Sequence, residues 1–212
     1  MPSHHFSKPG FGSRSCGGSV LAAILLLCPC AAAEDSPPNI VLFIADDVLL
    51  RESRGEIELS PAQLQSLDLM LRSSDDSAAQ TFWDLGGGNA AIARVKARYG
   101  LAGTIAPYDG GWDVAQSTAG DLVRYYQKLM DGSGGLPREQ ADFILGNLSR
   151  FTASGVDGYP QRFGIPDGLY AEPVAVKQGW FCCWGRGNQV HVSPGVIGSD
   201  RRYVMAISSL QL

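Results

Sequence analysis

The sequence predicts an α+β fold in one domain, with helices first and an antiparallel sheet after them. Apolar residues recur at helical spacing between residues 40 and 150. After residue 170, short apolar runs alternate with glycine-rich connections, which is typical of a meander of strands. Apolar residues make up 45% of the 212-residue chain and charged residues 18%, so the chain can bury a core of domain size.

Residues 1–33 have the pattern of a secretory signal peptide. The segment starts weakly basic and continues into the apolar run 20–27, which is too short to span a bilayer. Ala31-Ala32-Ala33 then offers the small residues of a cleavage site. We therefore expect an exported protein, secreted or held in the cell envelope, whose mature domain covers residues 34–212.

Two alternatives to a cleaved signal concern the same segment. One is an uncleaved membrane anchor, and the other is a lipoprotein signal attached at Cys28 or Cys30. Lipidation ranks lower, because Leu27 and Pro29 stand where lipoprotein signals usually carry Gly or Ala. Any membrane attachment is thus expected only through this N-terminal segment.

The composition disfavours two classes of function. The formal net charge is −4, so a nucleic-acid binder that relies on a basic surface is disfavoured. The chain has 3 histidines, two of them adjacent near the N-terminus, and its 5 cysteines lack the spacing of a zinc site. We therefore expect neither a metal site nor a cofactor.

Helix signals dominate the first part of the mature chain. Ile40 to Leu50 is apolar except for Asp46 and Asp47, and this segment fits either a buried helix or a strand. Ser60-Pro61-Ala62-Gln63 is a capping box that marks the start of the next helix. Thr118 is the expected N-cap of a later helix. In all, caps, glycine stops and apolar spacing predict helices over 61–72, 77–85, 90–99, 119–130 and from Pro137 onward.

The rest of the mature chain predicts a loop and three strands. Residues 101–116 are rich in Gly, Pro and Asp, which indicates an irregular loop. The strand candidates are Val174–Phe181, Gln189–Ile197 and Tyr203–Ser209. Because their connections are short, the three strands are expected to pair antiparallel.

Two three-residue motifs stand out against this order of elements. Ser74-Asp75-Asp76 falls in the turn between two predicted helices, and Lys177-Gln178-Gly179 falls inside the first predicted strand. Here the chain resembles the penicillin-recognising serine acyl-transferases, which include the class A β-lactamases and the DD-peptidases. That family carries S-x-x-K, then S-D-N between helices, then K-T-G on a strand that faces the active site. The resemblance covers roughly residues 40–210.

The resemblance implies a role for each matching residue. Ser74 is expected to relay a proton to the leaving nitrogen, assisted by Lys177, whose charge also attracts the substrate carboxylate. The backbone N–H of Trp180 is expected to form the strand half of an oxyanion hole. By the same resemblance, the expected substrate-binding residues are Asp76, Gln178, Gly179 and Trp180.

The chain also departs from the family pattern. No S-x-x-K occurs in the sequence, and residues 38–42 stand where the motif is expected. The loop 101–116 lacks the E-x-x-L-N sequence that supplies the deacylating glutamate in class A enzymes. Asp76 replaces the family's asparagine with an acceptor-only carboxylate, which adds negative charge where the substrate is anionic. The mature chain is short for this fold, and from the predicted strands we expect it to lack the N-terminal strand pair and the C-terminal helix, that is, to have a truncated fold.

Each motif has an ordinary structural interpretation as well. Ser74-Asp75-Asp76 is also a common helix-connecting turn, with Asp76 as the cap of the second helix. A lone lysine in a strand, such as Lys177, usually belongs to a solvated face. His191 lies in an alternating strand and is better explained by packing than by catalysis.

From these features we expect an exported β-lactamase-like serine hydrolase domain that is incomplete and inactive as written. A complete relative would hydrolyse a β-lactam or a D-Ala-D-Ala peptide, so the expected partner is a β-lactam or a peptidoglycan-like small ligand. One alternative is a residual hydrolase whose nucleophile the motifs do not reveal. The other is a non-catalytic cell-envelope protein that binds a ligand in the degenerate cleft.

The family arrangement also makes predictions about geometry. Ser74 and Lys177 are expected to face one cleft, with their side-chain tips within about 6 Å of each other. At the far edge of the sheet, Tyr203–Ser209 is expected to lack a partner strand, and an open edge is a template for self-association. If the chain is instead a stable monomer, Ile40–Leu50 is the segment expected to close the sheet.

Overall fold

The described part of the chain is helical first and forms a sheet at its end. A computed structural model describes residues 40–184 and 188–211, so the predicted signal peptide with Cys28 and Cys30 lies outside the described residues. The helices are α1 (Ile40–Ser53), α2 (Pro61–Ser73), α3 (Asp76–Gly86), α4 (Asn89–Tyr99), α5 (Ala119–Asp131), α6 (Arg138–Leu148) and α7 (Ile165–Gly168). The strands are β1 (Val174–Val176), β2 (Gly179–Trp184), β3 (Asn188–Ile197) and β4 (Tyr203–Gln211). This order confirms the predicted α+β fold.

Helix α1 is the central element of the core. Every residue from Ile40 to Leu50 is buried, and the helix packs against α2, α3, α4 and α6. A helix that is buried on all sides has no amphipathic pattern. The sequence of this segment was therefore compatible with a strand as well as with a helix. The helical conformation also means that Ile40–Leu50 does not close the sheet, so that part of the expectation is wrong.

Two buried carboxylates in α1 are neutralised by α4. Arg94 donates through Nε and Nη2 to the two carboxylate oxygens of Asp47, each at 2.7 Å. Arg98 donates to Asp46, and the hydroxyl of Tyr99 donates to the same carboxylate at 2.5 Å. Since a buried charge is tolerated only when it is paired, these contacts fix α1 against α4.

The helix starts follow the capping signals with one correction. Ser60 and Gln63 form the expected capping box, and the Thr118 hydroxyl accepts from the N–H of Asp121 at 3.1 Å. The cap of α3, however, is Asp75 rather than Asp76: its carboxylate accepts from the N–H of Ala78 at 2.9 Å. The helix begins one residue earlier than expected, which leaves the Asp76 side chain available for other contacts.

The sheet has four strands, and β1 and β2 lie along the same edge of β3. Strand β4 pairs with β3 along its length, from Tyr203 opposite Ile197 to Gln211 opposite Gln189. The opposite edge of β3 is occupied first by β1 and then by β2, in one antiparallel register from Val174 to Phe181 that shifts between Phe181 and Trp184. The predicted strand over 174–181 is therefore one edge strand that Lys177 and Gln178 interrupt only locally.

The two faces of β4 have different surroundings. Val204 and Ala206 pack against the main core, whereas Tyr203, Met205 and Ile207 on the other face are exposed. Within residues 40–184 and 188–211, β4 has no strand partner besides β3. No helix in this part of the chain is both long and apolar enough to cross a membrane.

Candidate active-site cleft

Ser74 lies at the junction of two helices. It is the C-cap of α2 in the left-handed conformation, with φ 52° and ψ 53°, and Asp75 directly begins the capping of α3. A non-glycine residue seldom adopts this conformation, and residues that do so are concentrated at functional sites. The sharp reversal between the helices turns the Ser74 side chain toward the sheet.

The structure brings Ser74 and Lys177 into direct contact, although 103 residues separate them in the sequence. Lys177 Nζ donates to Ser74 Oγ and, at 2.8 Å, to the backbone carbonyl of Gln178. The geometric prediction from the two motifs is thereby confirmed. The contact joins the α2–α3 junction to the outer edge strand of the sheet.

Gln161 is a third member of this group that the sequence analysis missed. The Ser74 hydroxyl donates to Gln161 Oε1 at 2.8 Å. The Gln161 amide nitrogen donates to the backbone carbonyls of Arg72 at 3.0 Å and Thr152 at 3.1 Å, so the orientation of the amide is fixed. Gln161 lies in an irregular segment outside any motif, and its buried position follows only from the tertiary fold.

Burial controls the chemistry of Lys177. Its side chain is buried, with 2% of the residue exposed, which excludes the solvated-face interpretation. Removal from water lowers the pKa of Lys177 to about 7, and the charge of Asp76 partly opposes this shift. Both protonation states of the amine are therefore populated near neutral pH.

A cavity of about 410 Å³ opens beside this contact. Its walls come from α1, the α2–α3 junction, the loop before α5 and the edge strand. The lining residues are Val41, Ser74, Asp76, Gln80, Trp112, Asp113, Lys177, Gln178, Gly179, Trp180 and Phe181. The cavity thus contains all six residues that the family resemblance selected.

The edge strand directs backbone groups to the cavity side. The N–H of Lys177 donates inward to the carbonyl of Pro194 on β3 at 3.2 Å. Because backbone N–H groups alternate in direction along a strand, the N–H of Trp180 points away from β3 toward the open edge. This direction is the one that an oxyanion-hole donor requires.

Gln178 occupies the middle position of the edge-strand motif and is also buried. Its amide nitrogen donates to the backbone carbonyl of Phe163 at 2.6 Å. Its amide oxygen is buried and has no hydrogen-bond partner in the described part of the protein. A carbonyl oxygen can only accept a hydrogen bond, so the end of the Gln178 amide that faces the Phe163 carbonyl must be the nitrogen. The amide oxygen is therefore the end that remains unpaired.

Asp76 lies in a field dominated by other carboxylates. Partial burial raises the pKa of Asp76, and the charges of Asp157, Asp75 and Asp113 raise it further. Lys177 is the group that lowers it. Since Asp76 and Asp113 both line the cavity, this site is more negative than a cleft with asparagine at position 76 would be.

An aromatic cluster supports the wall that Trp180 forms. Tyr159 stacks on Trp180 with ring centroids 4.9 Å apart, and Trp180 Nε1 donates to the carboxylate of Asp157 at 3.1 Å. His191 contacts the Tyr159 hydroxyl at 2.5 Å, and burial lowers the pKa of His191. These contacts give His191 a packing role and hold the Trp180 ring in place.

Helix α1 offers no reactive side chain to the cavity. Its lining residue is Val41, it contains no lysine, and its serine is the last residue of the helix, Ser53. In the part of the chain that the structure describes, no group of three or more His, Cys, Asp or Glu side chains is arranged to hold a metal ion. The polar side chains of the cleft therefore come from the α2–α3 junction, helix α3, the loop before α5 and the edge strand.

Comparison of sequences relates the chain to mycobacterial proteins. Over 170 residues it is 59% identical to the proteins named "Putative lipoprotein LppW" of Mycobacterium bovis and Mycobacterium tuberculosis. The matched stretch is 80% of this chain and 54% of each relative, so the chain spans about half the length of these relatives. No family model matches the chain.

Comparison of structures identifies the fold. A chromosome-encoded β-lactamase of Vibrio parahaemolyticus superposes with a TM-score of 0.61 and 14% identity, over 84% of this chain and 76% of the other. The transpeptidase domain of the FtsI4 D,D-transpeptidase from Legionella pneumophila gives 0.57 and 13%, over 83% and 65%. The chain therefore has the fold of β-lactamase and transpeptidase domains.

Proposed function

We propose that this chain is an exported, β-lactamase-like domain that binds a β-lactam or a peptidoglycan-like peptide in the Ser74–Lys177 cleft without forming an acyl-enzyme. The observation that carries the proposal is the contact between Ser74 and Lys177 at a cavity where α1 contributes Val41. In this arrangement the groups that position a ligand are present, and the nucleophile and base of S-x-x-K are not among the described lining residues.

Three features support ligand binding. The cavity of about 410 Å³ has the size of a small-molecule site. The outward N–H of Trp180 can donate to a ligand carbonyl, and Gly179 leaves room for a ligand backbone beside the strand. Ser74 and Lys177 add a hydroxyl and an amine to the lining of the same cavity.

The hydrogen-bond pattern around Ser74 supports a positioning role rather than nucleophilic attack. Its hydroxyl proton is directed at Gln161 Oε1, and Lys177 acts as a donor to its oxygen. In this state no base accepts the Ser74 proton, and a lone pair of the oxygen is occupied. Removal of a nucleophile from a triad-type site lowers turnover by about 10⁶-fold, so a cleft without one is effectively a binding site.

A second candidate activity is supported by one observation. The pKa of Lys177 is lowered to about 7, so its neutral amine can accept the Ser74 proton. Ser74 Oγ would then attack a β-lactam carbonyl, an ester would form as the C–N bond breaks, and the Lys177 ammonium would return the proton to the leaving nitrogen. This alternative requires the Ser74 hydroxyl to leave Gln161.

Export is part of the proposal. It is supported by the signal-like residues 1–33 and by relatives whose name includes the word lipoprotein. Membrane attachment, if present, is proposed only through the N-terminal segment, with Cys28 and Cys30 as the lipidation candidates. A peptidoglycan-like ligand is consistent with a location in the cell envelope.

Labelling with a fluorescent penicillin separates the two activities. The purified full chain is incubated with the probe and then run on a denaturing gel. We expect no labelled band on the denaturing gel. A band that survives denaturation and is lost in Ser74→Ala would contradict the proposal and make Ser74 the nucleophile.

A further inference from the structure

We infer that the Ser74–Lys177 cleft selects ligands that carry a cationic amine and discriminates against ligands whose charge is a carboxylate. The inference rests on the proposed function in one respect, namely that the cleft is a ligand site. It deepens that function by naming the chemical class that the cleft accepts.

The first argument is the balance of charge in the cavity walls. Among the described lining residues, Asp76 and Asp113 are acidic and Lys177 is the single basic side chain. Asp157, which holds the Trp180 ring from outside the cavity, adds a further carboxylate whose field reaches Asp76. A ligand with a positive charge gains attraction from these groups, whereas an anionic ligand is repelled.

The second argument is that Lys177 is poorly suited to attract an anion. Its amine is already directed at Ser74 Oγ and at the backbone carbonyl of Gln178. Burial also lowers the pKa of Lys177 to about 7, so its ammonium form is only partly populated near neutral pH. A carboxylate in this cleft would therefore face Asp76 and Asp113 without a fully charged partner.

The third argument is the aromatic content of the walls. Trp112, Trp180 and Phe181 line the same cavity as Asp76 and Asp113. Aromatic faces attract ammonium groups, and tryptophan does so most strongly. Sites that bind protonated amines commonly combine carboxylates with aromatic walls. The geometry therefore points to a peptide that presents an amine and whose carboxyl end is blocked.

A matched pair of probes tests the inference. D-Alanyl-D-alanine amide is a cation near neutral pH, and N-acetyl-D-alanyl-D-alanine is an anion with the same two residues. Each is titrated against the full chain by calorimetry. We expect the cationic probe to bind at least about tenfold more tightly, as one favourable charge interaction in a partly buried site allows.

The outcomes separate this inference from the proposed function. Equal binding, or tighter binding of the anionic probe, overturns the preference for amines but leaves the cleft as a ligand site. Failure of both probes to bind overturns the inference together with the proposed ligand class.

Charge-neutral variants locate the preference in the cleft. Asp76→Asn is expected to lower the ratio of the two affinities several-fold, and Asp113→Asn provides a second variant if the first does not fold. Asp68→Asn on α2 removes the same charge from a residue that does not line the cavity, and is expected to leave the ratio unchanged. An unchanged ratio in both cleft variants would overturn the inference.

Discussion

The geometry of Ser74 combines an unfavourable backbone with favourable side-chain contacts. Left-handed φ and ψ angles cost a non-glycine residue about 1 kcal/mol, while its hydroxyl contacts Lys177 and Gln161. The two effects can be separated, because glycine removes both the hydroxyl and the backbone cost, whereas alanine removes only the hydroxyl.

We expect Ser74→Gly to be more stable than Ser74→Ala by about 1 kcal/mol in free energy of unfolding. Both variants lose the contacts to Lys177 and Gln161, so the difference reports the backbone alone. Urea unfolding of the two variants measures it. Equal stabilities would mean that the junction between α2 and α3 relaxes out of the left-handed conformation.

The buried amine of Lys177 makes stability depend on pH in a defined direction. Burial lowers its pKa from 10.5 to about 7 in the folded state, so between these values the unfolded chain binds more protons. Stability therefore rises with pH in this window, and the penalty for burying the ammonium is present in full below about pH 7.

Lys177→Met provides the reference that isolates this effect from other titrating groups. From about pH 6 to about pH 10, we expect the wild-type free energy of unfolding to increase by a few kcal/mol relative to that of the variant. Chemical denaturation at a series of pH values measures the difference. A constant difference would show that Lys177 keeps an ordinary pKa in the folded protein.

At the residue scale, the sequence predicts the groups that belong to motifs but not those that the fold adds. Ser74 and Lys177 are identified because each lies in a three-residue pattern with a known partner. Gln161 and the buried amide of Gln178 are set by distant backbone carbonyls at Arg72 and Phe163, and nothing in the local sequence encodes those contacts.

At the scale of elements, α1 shows where pattern reasoning reaches its limit. Capping residues located α2 and α5 to within a residue or two, because a cap is a local interaction between neighbours in the sequence. Burial of the apolar run of α1 on all sides removes the periodicity that distinguishes a helix from a strand.

The two carboxylates of α1 differ in how much their loss is expected to cost. Asp46→Ala leaves the more buried Arg98 and the Tyr99 hydroxyl without their partner, so we expect a loss of about 3–5 kcal/mol. Asp47→Ala leaves Arg94, whose side chain is 42% exposed and can turn to water, so a loss of about 1–2 kcal/mol is expected. Urea unfolding ranks the two variants, and an equal or reversed order would contradict the argument.

At the scale of the whole molecule, we expect the sheet edge at β4 to determine how copies of the chain meet. Within the described residues this edge has no strand partner, and its outer face carries Tyr203, Met205 and Ile207. Exposed backbone groups beside apolar side chains favour pairing with another strand. Self-association through β4 therefore remains our prediction.

Light scattering across a range of protein concentrations tests this prediction. We expect the apparent mass to rise with concentration, and Ile207→Lys to suppress the rise, because a charge on an edge strand opposes pairing. Leu69→Lys on α2 introduces the same charge at another exposed apolar position and serves as the control. A chain that stays monomeric at high concentration would contradict the prediction.

The tryptophans in the cavity walls can serve as intrinsic fluorescent probes of ligand binding. Two of the 4 tryptophans in the chain, Trp112 and Trp180, line the cavity, while the Trp83 ring is buried and donates to the carbonyl of Gly110 at 3.0 Å. Indole emission depends on nearby water and charge, and the Trp180 ring is held beside the Asp157 carboxylate. Occupancy of the cleft is therefore expected to shift the intrinsic fluorescence spectrum, so that binding can be followed on the unmodified protein without any attached dye.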